Sequence, residues 1–247
     1  MTYKKVVAFG DSFTRGDELT DSKLPSHVNP FTHSKFTWPA LVANNCPYEC
    51  YAIGGVGNTW ISWQVTNMLR KLQNCLVIVN WTWFERFDYV DINNKSWATT
   101  HPRITNDVNH FFYKHIDSDV WNLFRNLQMI HSTICLLEQN KIDFLMTCLD
   151  PMLHKKAVYP ETSSRQRRGG NGYLDAESWQ NSHRDAAVEL QKQVNHYIVN
   201  FYGYTFLEWT KHKNFQLGPN GHPLEKAHVE AAKYINMATT EGKNYGY

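Results

Sequence analysis

The sequence lacks a long apolar stretch. Its longest run of aliphatic residues, at 76–79, is far shorter than the roughly 20 residues that a helix needs to cross a bilayer. The residues before Gly10 also contain no apolar segment long enough for a secretory signal peptide. These absences predict a cytoplasmic protein that does not act within a membrane.

An excess of charge of one sign is also absent. The 247 residues include 25 basic and 23 acidic side chains, so the formal net charge is only +2. Such a chain generates no strong general field that would attract nucleic acid or an anionic membrane surface. We therefore expect neither as a partner.

Cysteines are few and are not arranged as metal ligands. Of the five, Cys46 and Cys50 lie four residues apart, but no second pair is near enough to complete a zinc site. The cysteines are predicted to be free thiols. No metal and no other cofactor is expected.

What the sequence does contain is a regular alternation of short strand-like and longer helical segments. Five strands are predicted, at residues 5–9, 48–53, 75–79, 142–149 and, with a weaker pattern, 204–207. The clearest helices are predicted from the N-cap Ser118 to about 137, from 185 to about 202 before Gly203, and from 224 to 238. Alternation of this kind indicates an α/β fold with a mostly parallel sheet and helices on both sides.

The pattern predicts a single domain over residues 1–247 with two long loop insertions, at about 88–117 and 154–183. The second insertion contains the basic cluster Arg165, Arg167 and Arg168. This cluster either holds an anionic substrate or lies in a solvated loop. Aromatic residues, at 14% of the chain, either fill the core or line a groove.

The end of the first predicted strand carries a candidate nucleophile. Ligands of open parallel sheets bind beyond the carboxyl ends of the strands, and this strand is followed by Gly10, Asp11 and Ser12. A serine at that point is able to present its hydroxyl to the crevice. The alternative is that Asp11 and Ser12 only cap the following helix or turn.

Two later segments favour the catalytic interpretation. Residues 52–58 follow the second strand and are rich in glycine, which lets backbone N–H groups approach a bound oxygen as an oxyanion hole requires. His222 follows the fifth predicted strand and precedes the last helix. There it is able to take the proton of Ser12 and return it to a leaving group.

Taken in order, these blocks resemble the SGNH/GDSL hydrolase superfamily. The first family block is matched by residues 8–12 (AFGDS) and the second by residues 52–55 (AIGG). The closing block is matched by His222-Pro223 with His228 on the following helix, and Trp38-Pro39 with Leu41 also has the family's spacing. Each motif is short, so the specificity of the resemblance lies in their order and separation.

The resemblance implies a three-layer α/β/α sandwich with a central five-stranded parallel sheet, the flavodoxin-like SGNH fold. It also implies hydrolysis of an ester or acyl group through an acyl-enzyme, without a metal. Ser12 would be the nucleophile and His222 the general base. The backbone N–H groups of Ser12 and Gly55 would donate to the oxyanion.

The third family block, Gly-x-Asn-Asp after the third strand, is missing. Alignment by strand end puts Trp83 where the family has the Asn that donates to the oxyanion, and loss of one such donor costs ~10²–10³ in rate. Asn58 and Asn80 are the candidate substitutes, and Asn58 is predicted to join the oxyanion hole. Trp83, Arg86 and Asn80 are predicted to bind substrate, because a ring and a guanidinium suit a sugar or an anion. Alternatively, Trp81 and Trp83 pack against helices and Arg86 pairs with Glu85 or Asp88.

The acid that orients the histidine is also missing from its family position. The family has Asp three residues before the histidine, and Pro219 stands there in this chain. Asn220 is predicted to accept the imidazole N–H, with Glu208 or a backbone carbonyl as alternatives. Asn in place of the acid of a serine-protease triad costs ~10⁴ in kcat.

These residues favour a serine esterase or acyl hydrolase, in one form a carbohydrate deacetylase, that acts on a small-molecule or glycan ester. The alternative is a catalytically weak or inactive module of the same fold that binds glycan or protein. The Trp-Thr stretch at the third block resembles proteins of tailed phages, so a virion component is compatible with this alternative. A third class is acyl transfer to an acceptor other than water.

Overall fold

The computed structural model describes residues 3–22, 33–93, 95–102, 106–153 and 176–240. The strands in these residues are β1 (Lys5–Phe9), β2 (Tyr48–Cys50), β3 (Cys75–Trp81), β4 (Asp88–Asp91), β5 (Ser96–Thr99) and β6 (Asp143–Cys148). The helices are α1 (Ser12–Arg15), α2 (Trp38–Ala43), α3 (Asn58–Met68), α4 (Asp107–His115), α5 (Asp119–Gln139), α6 (Ala176–Asn195), α7 (Phe206–His212) and α8 (Glu225–Thr240). Single turns of 3-10 helix occupy Leu69–Lys71 and Pro151–Leu153.

Four strands form one parallel sheet in the order β2-β1-β3-β6. All but one of the seven residues of β3 are buried, as expected of a central strand that is covered on both faces. Strand β3 also extends beyond β1: Asn80 and Trp81 pair with Thr147 and Cys148 of β6. The predicted α/β class with a parallel sheet between helices is confirmed.

Two apolar clusters, one on each face of the sheet, produce the three layers. Because side chains alternate along a strand, Val7 and Phe9 of β1 join the cluster with α3, α5 and α6. Val6 and Ala8 join the cluster with α2, α7 and α8. All five cysteines are free thiols, as predicted.

The prediction of a fifth strand at 204–207 is wrong. Thr205 instead begins α7 with a capping box, in which its side chain accepts the N–H of Glu208 and the Glu208 carboxylate accepts the N–H of Thr205. This reciprocal bonding stabilises the first turn of a helix. What remains of a fifth strand among the described residues is a single parallel bridge between Ile198 and Met146.

The predicted helices are present, with shifted ends. Ser118 caps α5 as expected, because its side chain accepts the N–H of Trp121. Helix α6 begins earlier than predicted and ends at Asn195, so Gly203 is not its C-cap and belongs to a turn between Phe201 and Tyr204. In the described part of the chain, no helix has the combination of length and apolar character needed to span a bilayer.

The insertion predicted as a loop at 88–117 contains regular structure. Strands β4 and β5 pair as an antiparallel hairpin, and α4 follows with the side chain of Asn106 as its cap. Most of the second insertion lies outside the described residues, and so does the arginine cluster at 165–168. Its last part, from Ala176, belongs to α6.

Candidate active site

Ser12 is the first residue of the helix that follows β1. Asp11 is the N-cap of this helix, and its side chain accepts the backbone N–H of Phe13 at 3.0 Å. Gly16 ends the helix with φ at +86°, a conformation that glycine adopts without a steric penalty. Asp11 therefore caps the helix, as the alternative interpretation predicted. The hydroxyl of Ser12 is not used in this cap and remains available for another partner.

That partner is His222, in the turn between α7 and α8. The turn is closed by the backbone N–H of Gly218, which donates to the carbonyl of His222 at 2.8 Å. Nε2 of His222 lies 2.9 Å from Oγ of Ser12. The two residues that the sequence singled out are therefore within hydrogen-bonding distance, the geometry that general-base activation requires.

The other imidazole nitrogen meets a carboxylate that the sequence analysis did not identify. Nδ1 of His222 lies 2.6 Å from Oε2 of Glu18. Glu18 also accepts the backbone N–H groups of Asn220 at 2.8 Å and of His222 at 3.2 Å. Burial by itself would raise the pKa of Glu18, but these hydrogen bonds outweigh it and hold the pKa below its ordinary value. Glu18 is consequently ionised at neutral pH.

Close backbone packing holds Glu18 in place. Its φ is +71°, in the left-handed region that is unfavourable for a residue with a side chain. Opposite it, a Cβ added to Gly218 would lie 2.8 Å from the carboxyl carbon of Glu18, so a side chain at 218 would displace the carboxylate. The N–H of Thr20 donates to Glu225 at 2.7 Å and ties the same segment to the start of α8.

Asn220 and Glu208 do not orient His222 as the sequence analysis proposed. Nδ1 of His222 faces Glu18, and the side-chain amide of Asn220 donates to the same carboxylate at 3.1 Å. An ionised carboxylate is a stronger acceptor than an amide oxygen, which accounts for the preference. Glu208 is engaged in the capping box of α7.

The glycine loop after β2 lies against Ser12. A Cβ added to Gly54 would be 3.6 Å from Cβ of Ser12, and Gly55 has φ at +82°. Within the described residues, the backbone N–H groups of Ser12 and Gly55 have no acceptor. Both are free to donate to a ligand.

Asp88 shapes this loop. The sequence does not indicate this role, because Asp88 falls in the predicted insertion. Its carboxylate accepts the N–H groups of Gly57 at 2.7 Å and Trp60 at 2.8 Å, and the hydroxyl of Thr99 at 2.6 Å. It thereby caps α3 from another segment of the chain, and a Cβ at Gly57 would lie 2.7 Å from its oxygen. Neither Asp88 nor Glu18 belongs to a sequence motif that would have revealed it.

The amide of Asn58 is fully engaged within the fold, and the unpartnered amide nitrogen of Asn80 is buried. The Asn58 amide donates to the carbonyl of Thr82 at 3.1 Å and to Asn126 at 2.8 Å, while its oxygen accepts the N–H of Thr82. Asn80 is fully buried between strands, where its oxygen accepts the hydroxyl of Thr147 at 2.7 Å. Both side chains link elements of the fold. The predictions that Asn58 joins the oxyanion hole and that Asn80 binds substrate are therefore not supported by their positions.

Arg86 is also an internal residue rather than a contact for substrate. It is buried, and its Nη1 bonds to Asp11 at 3.2 Å, to the carbonyl of Val56 at 2.8 Å and to the hydroxyl of Thr82 at 2.8 Å. Its single guanidinium thus joins Asp11, next to Ser12, to the glycine loop. The acid that pairs with Arg86 is Asp11, which adjoins Ser12, whereas the alternative expected Glu85 or Asp88.

Trp83 is half-buried beside these residues. The Arg86 guanidinium lies 4.8 Å from its ring centroid. Its ring packs edge-on against Phe13 at 5.4 Å, and Phe13 in turn lies 4.9 Å from the ring of His222. An indole, not an amide, therefore follows β3 near the Ser12–His222 pair.

His228, the second histidine of the closing block, has a structural position. Its Nδ1 accepts the backbone N–H of Trp38 at 3.0 Å. Burial lowers the pKa of His228 to about 3. The neutral ring thus joins α8 to the start of α2.

Comparison with solved structures is informative where comparison of sequences is not. The sequence matches no protein-family model, and no curated protein matches it. In architecture, the chain is similar to the solved structure of an esterase, and this likeness concerns the fold alone.

Two of the similar structures illustrate the fold. The psychrotrophic esterase EstA from Pseudoalteromonas sp. aligns over 96% of this chain and 97% of its own, with a TM-score of 0.50 and 8% identity. A member of the lipolytic G-D-S-L family from Veillonella parvula DSM 2008 aligns over 96% and 98%, with a TM-score of 0.46 and 12% identity.

Proposed function

We propose that the protein is a serine ester hydrolase in which Ser12 is the nucleophile, His222 the general base and Glu18 the residue that positions the base. The observation that carries this proposal is one continuous row of hydrogen bonds. It runs from Oγ of Ser12 to Nε2 of His222 at 2.9 Å, and from Nδ1 to Glu18 at 2.6 Å. A row of nucleophile, base and orienting acid is the arrangement that activates a serine hydroxyl.

The proposed reaction has two stages. Ser12 attacks the ester carbonyl while Nε2 of His222 takes its proton, and Glu18 stabilises the resulting imidazolium through the Nδ1–H bond. The imidazolium then protonates the leaving alcohol, which departs and leaves an acyl group on Ser12. Water then attacks the acyl carbonyl while His222 takes one of its protons. The imidazolium returns this proton to Oγ of Ser12 as the bond between Oγ and the acyl carbon breaks, and the acid product is released.

The oxyanion in this proposal is bound by the backbone N–H groups of Ser12 and Gly55. Asp88 and Arg86 fix the loop that carries Gly55 through contacts to its neighbours Gly57 and Val56. Neither Asn58 nor Asn80, the two amide candidates, supplies a third donor in this proposal. We therefore expect turnover slower by ~10²–10³ than in a hydrolase with three donors.

The substrate in this proposal is a small-molecule or glycan ester. Half-buried Trp83 packs on Phe13, which adjoins the ring of His222, and the exposed part of its indole is suited to an acyl chain or the apolar face of a sugar. Acetate and butyrate esters are thus the appropriate first substrates.

The test is hydrolysis of p-nitrophenyl acetate and butyrate by the protein and by its Ser12→Ala and His222→Ala variants. We expect both variants to lose about 10⁴-fold or more in kcat/KM. Labelling by a fluorophosphonate probe is expected in the protein and absent in Ser12→Ala. Equal rates for all three proteins would refute the proposal and favour a non-catalytic binding module.

A further inference from the structure

A second concave surface lies on the outer side of α8, formed by different residues from those of the proposed active site. The core side of α8 carries small residues, including Ala227, Ala231 and Ala238, which let the helix pack closely on the sheet layer. Its outer side, together with the end of α7, borders a groove of about 490 Å³. We call this the α7–α8 groove.

Aromatic rings form the walls of the α7–α8 groove. Tyr202 is 62% exposed, and its ring centroid lies 4.6 Å from that of Tyr234 on α8. Trp209 and Phe215 form another part of the wall, with centroids 5.3 Å apart. The exposed ring of Tyr202 offers a flat apolar face that complements the C–H face of a sugar.

Two lysines of the groove have no acidic partner. Nζ of Lys213 lies 5.9 Å from the ring of Tyr202, and Nζ of Lys226 lies 5.8 Å from the ring of Phe215. Neither forms an ion pair with any residue that the structure describes. Positive charge therefore remains unmatched at the groove and is complementary to an anion.

The groove also contains an unused hydrogen-bond donor and a carboxylate. The side chain of Trp209 is buried, and its indole N–H has no acceptor, an unfavourable state that a ligand oxygen would relieve. Glu230 bonds to Lys233 through Oε1 at 2.8 Å. A carboxylate on the wall accepts hydroxyl groups, of which an oligosaccharide carries several.

We propose that the α7–α8 groove binds an acidic oligosaccharide, with sugar rings against Tyr202 and Tyr234 and sugar carboxylates at Lys213 and Lys226. The proposal goes beyond ester hydrolysis and does not depend on it, since the groove and the Ser12–His222 pair use different side chains. Such a site would hold the protein on an anionic glycan while the active site works.

The test is calorimetric titration with trigalacturonate, with maltotriose as the neutral control and AMP as the phosphate control. We expect saturable binding of trigalacturonate only. In the double variant Lys213→Ala/Lys226→Ala, affinity should fall about tenfold, and Tyr202→Ala should also weaken binding. A control that removes two other exposed lysines, Lys71→Ala/Lys192→Ala, should bind as the parent protein does.

Esterase activity separates this proposal from the previous one. Ser12→Ala should bind trigalacturonate normally, and Lys213→Ala/Lys226→Ala should hydrolyse p-nitrophenyl acetate normally. Absence of saturable binding, equal affinity in the double lysine variant, or tighter binding of AMP than of trigalacturonate would each overturn the proposal.

Discussion

On one side of Ser12, the imidazole of His222 meets the partly buried carboxylate of Glu18, and each of its two nitrogens has a partner. On the other side, the glycine loop offers only backbone N–H groups. Trp83 stands after the central strand, at the position where the family pattern has an amide side chain. The side with His222 has its acid, Glu18, which comes from a segment that the sequence did not indicate. The other side lacks a side-chain donor although its loop is firmly held.

The difference follows from what each partner has to do. An acid beside a histidine must accept one N–H and balance one positive charge, so any chain segment that reaches Nδ1 is able to supply it. A donor to the oxyanion must lie about 3 Å from one point in space. In this chain Asn58 and Arg86 are already bonded within the fold, and the amide nitrogen of Asn80 is buried.

Among the changes that test this comparison, neutralising Glu18 is expected to have the largest effect on kcat. Glu18→Gln keeps the shape but removes the charge that stabilises the imidazolium, so kcat for p-nitrophenyl acetate should fall about 10³–10⁴-fold. The pH–rate profile should change as well, because the base loses its anionic partner. Asp21→Asn, on the same segment, is the control and should retain full activity; a fully active Glu18→Gln would remove Glu18 from the mechanism.

A smaller loss is expected when the acid is displaced rather than neutralised. In Gly218→Ala, the new Cβ would meet the carboxylate of Glu18 at 2.8 Å, and a misplacement of about 1 Å costs roughly 10²-fold in rate. The measurement is kcat for p-nitrophenyl acetate together with the thermal midpoint. An unchanged kcat in a folded Gly218→Ala protein would contradict the close approach of residues 18 and 218.

The oxyanion side is tested by weakening the support of its loop. Asp88→Asn turns a carboxylate that accepts two N–H groups into an amide, so stability should fall by about 1–2 kcal/mol. A shifted loop should also lower kcat about tenfold, well below the full loss of an oxyanion donor. Chemical denaturation and kcat are the measurements, with Asp107→Asn on α4 as the control. A fall in kcat as large as that of Glu18→Gln would contradict the expected difference, because activity would then depend equally on the two sides of Ser12.

A still smaller effect is expected for Asn220. Asn220→Ala removes one side-chain hydrogen bond to Glu18 but retains the backbone donors of the turn. A single exposed bond of this kind contributes about 1 kcal/mol, so kcat should fall only a few-fold. A fall that matches Glu18→Gln would restore Asn220 as the group that orients His222.

The smallest effect concerns stability and pH. The pKa of Glu18 is lower in the folded protein than its ordinary value of 4.5, so the folded state holds its proton more weakly than the unfolded state does. Its contribution to stability is therefore fully present above pH 4.5 and is lost as the pH falls through the lower folded pKa. Urea unfolding should show the parent protein more stable than Glu18→Gln at pH 7, with a difference that narrows toward pH 3.

Local pattern in the sequence predicts the central strands and the approach of Ser12 to His222, because apolar runs and strand ends are local properties. It fails at residues 204–207, where the capping box of Thr205 and Glu208 outweighs a short apolar pattern. It also fails for Glu18 and Asp88, whose roles depend on contacts made across the fold. Asn58 and Arg86 have suitable chemistry, but their existing partners become visible only in three dimensions.

The separation of Glu18 and His222 by 204 positions has a consequence for biosynthesis. A ribosome makes Ser12 and Glu18 early and His222 only after some 200 further residues. Until the turn at 218–222 closes on Glu18, the emerging chain carries an ordinary, unactivated serine. Esterase activity in a translation reaction would then appear only with the finished fold, and its onset would time the last long-range contact to form.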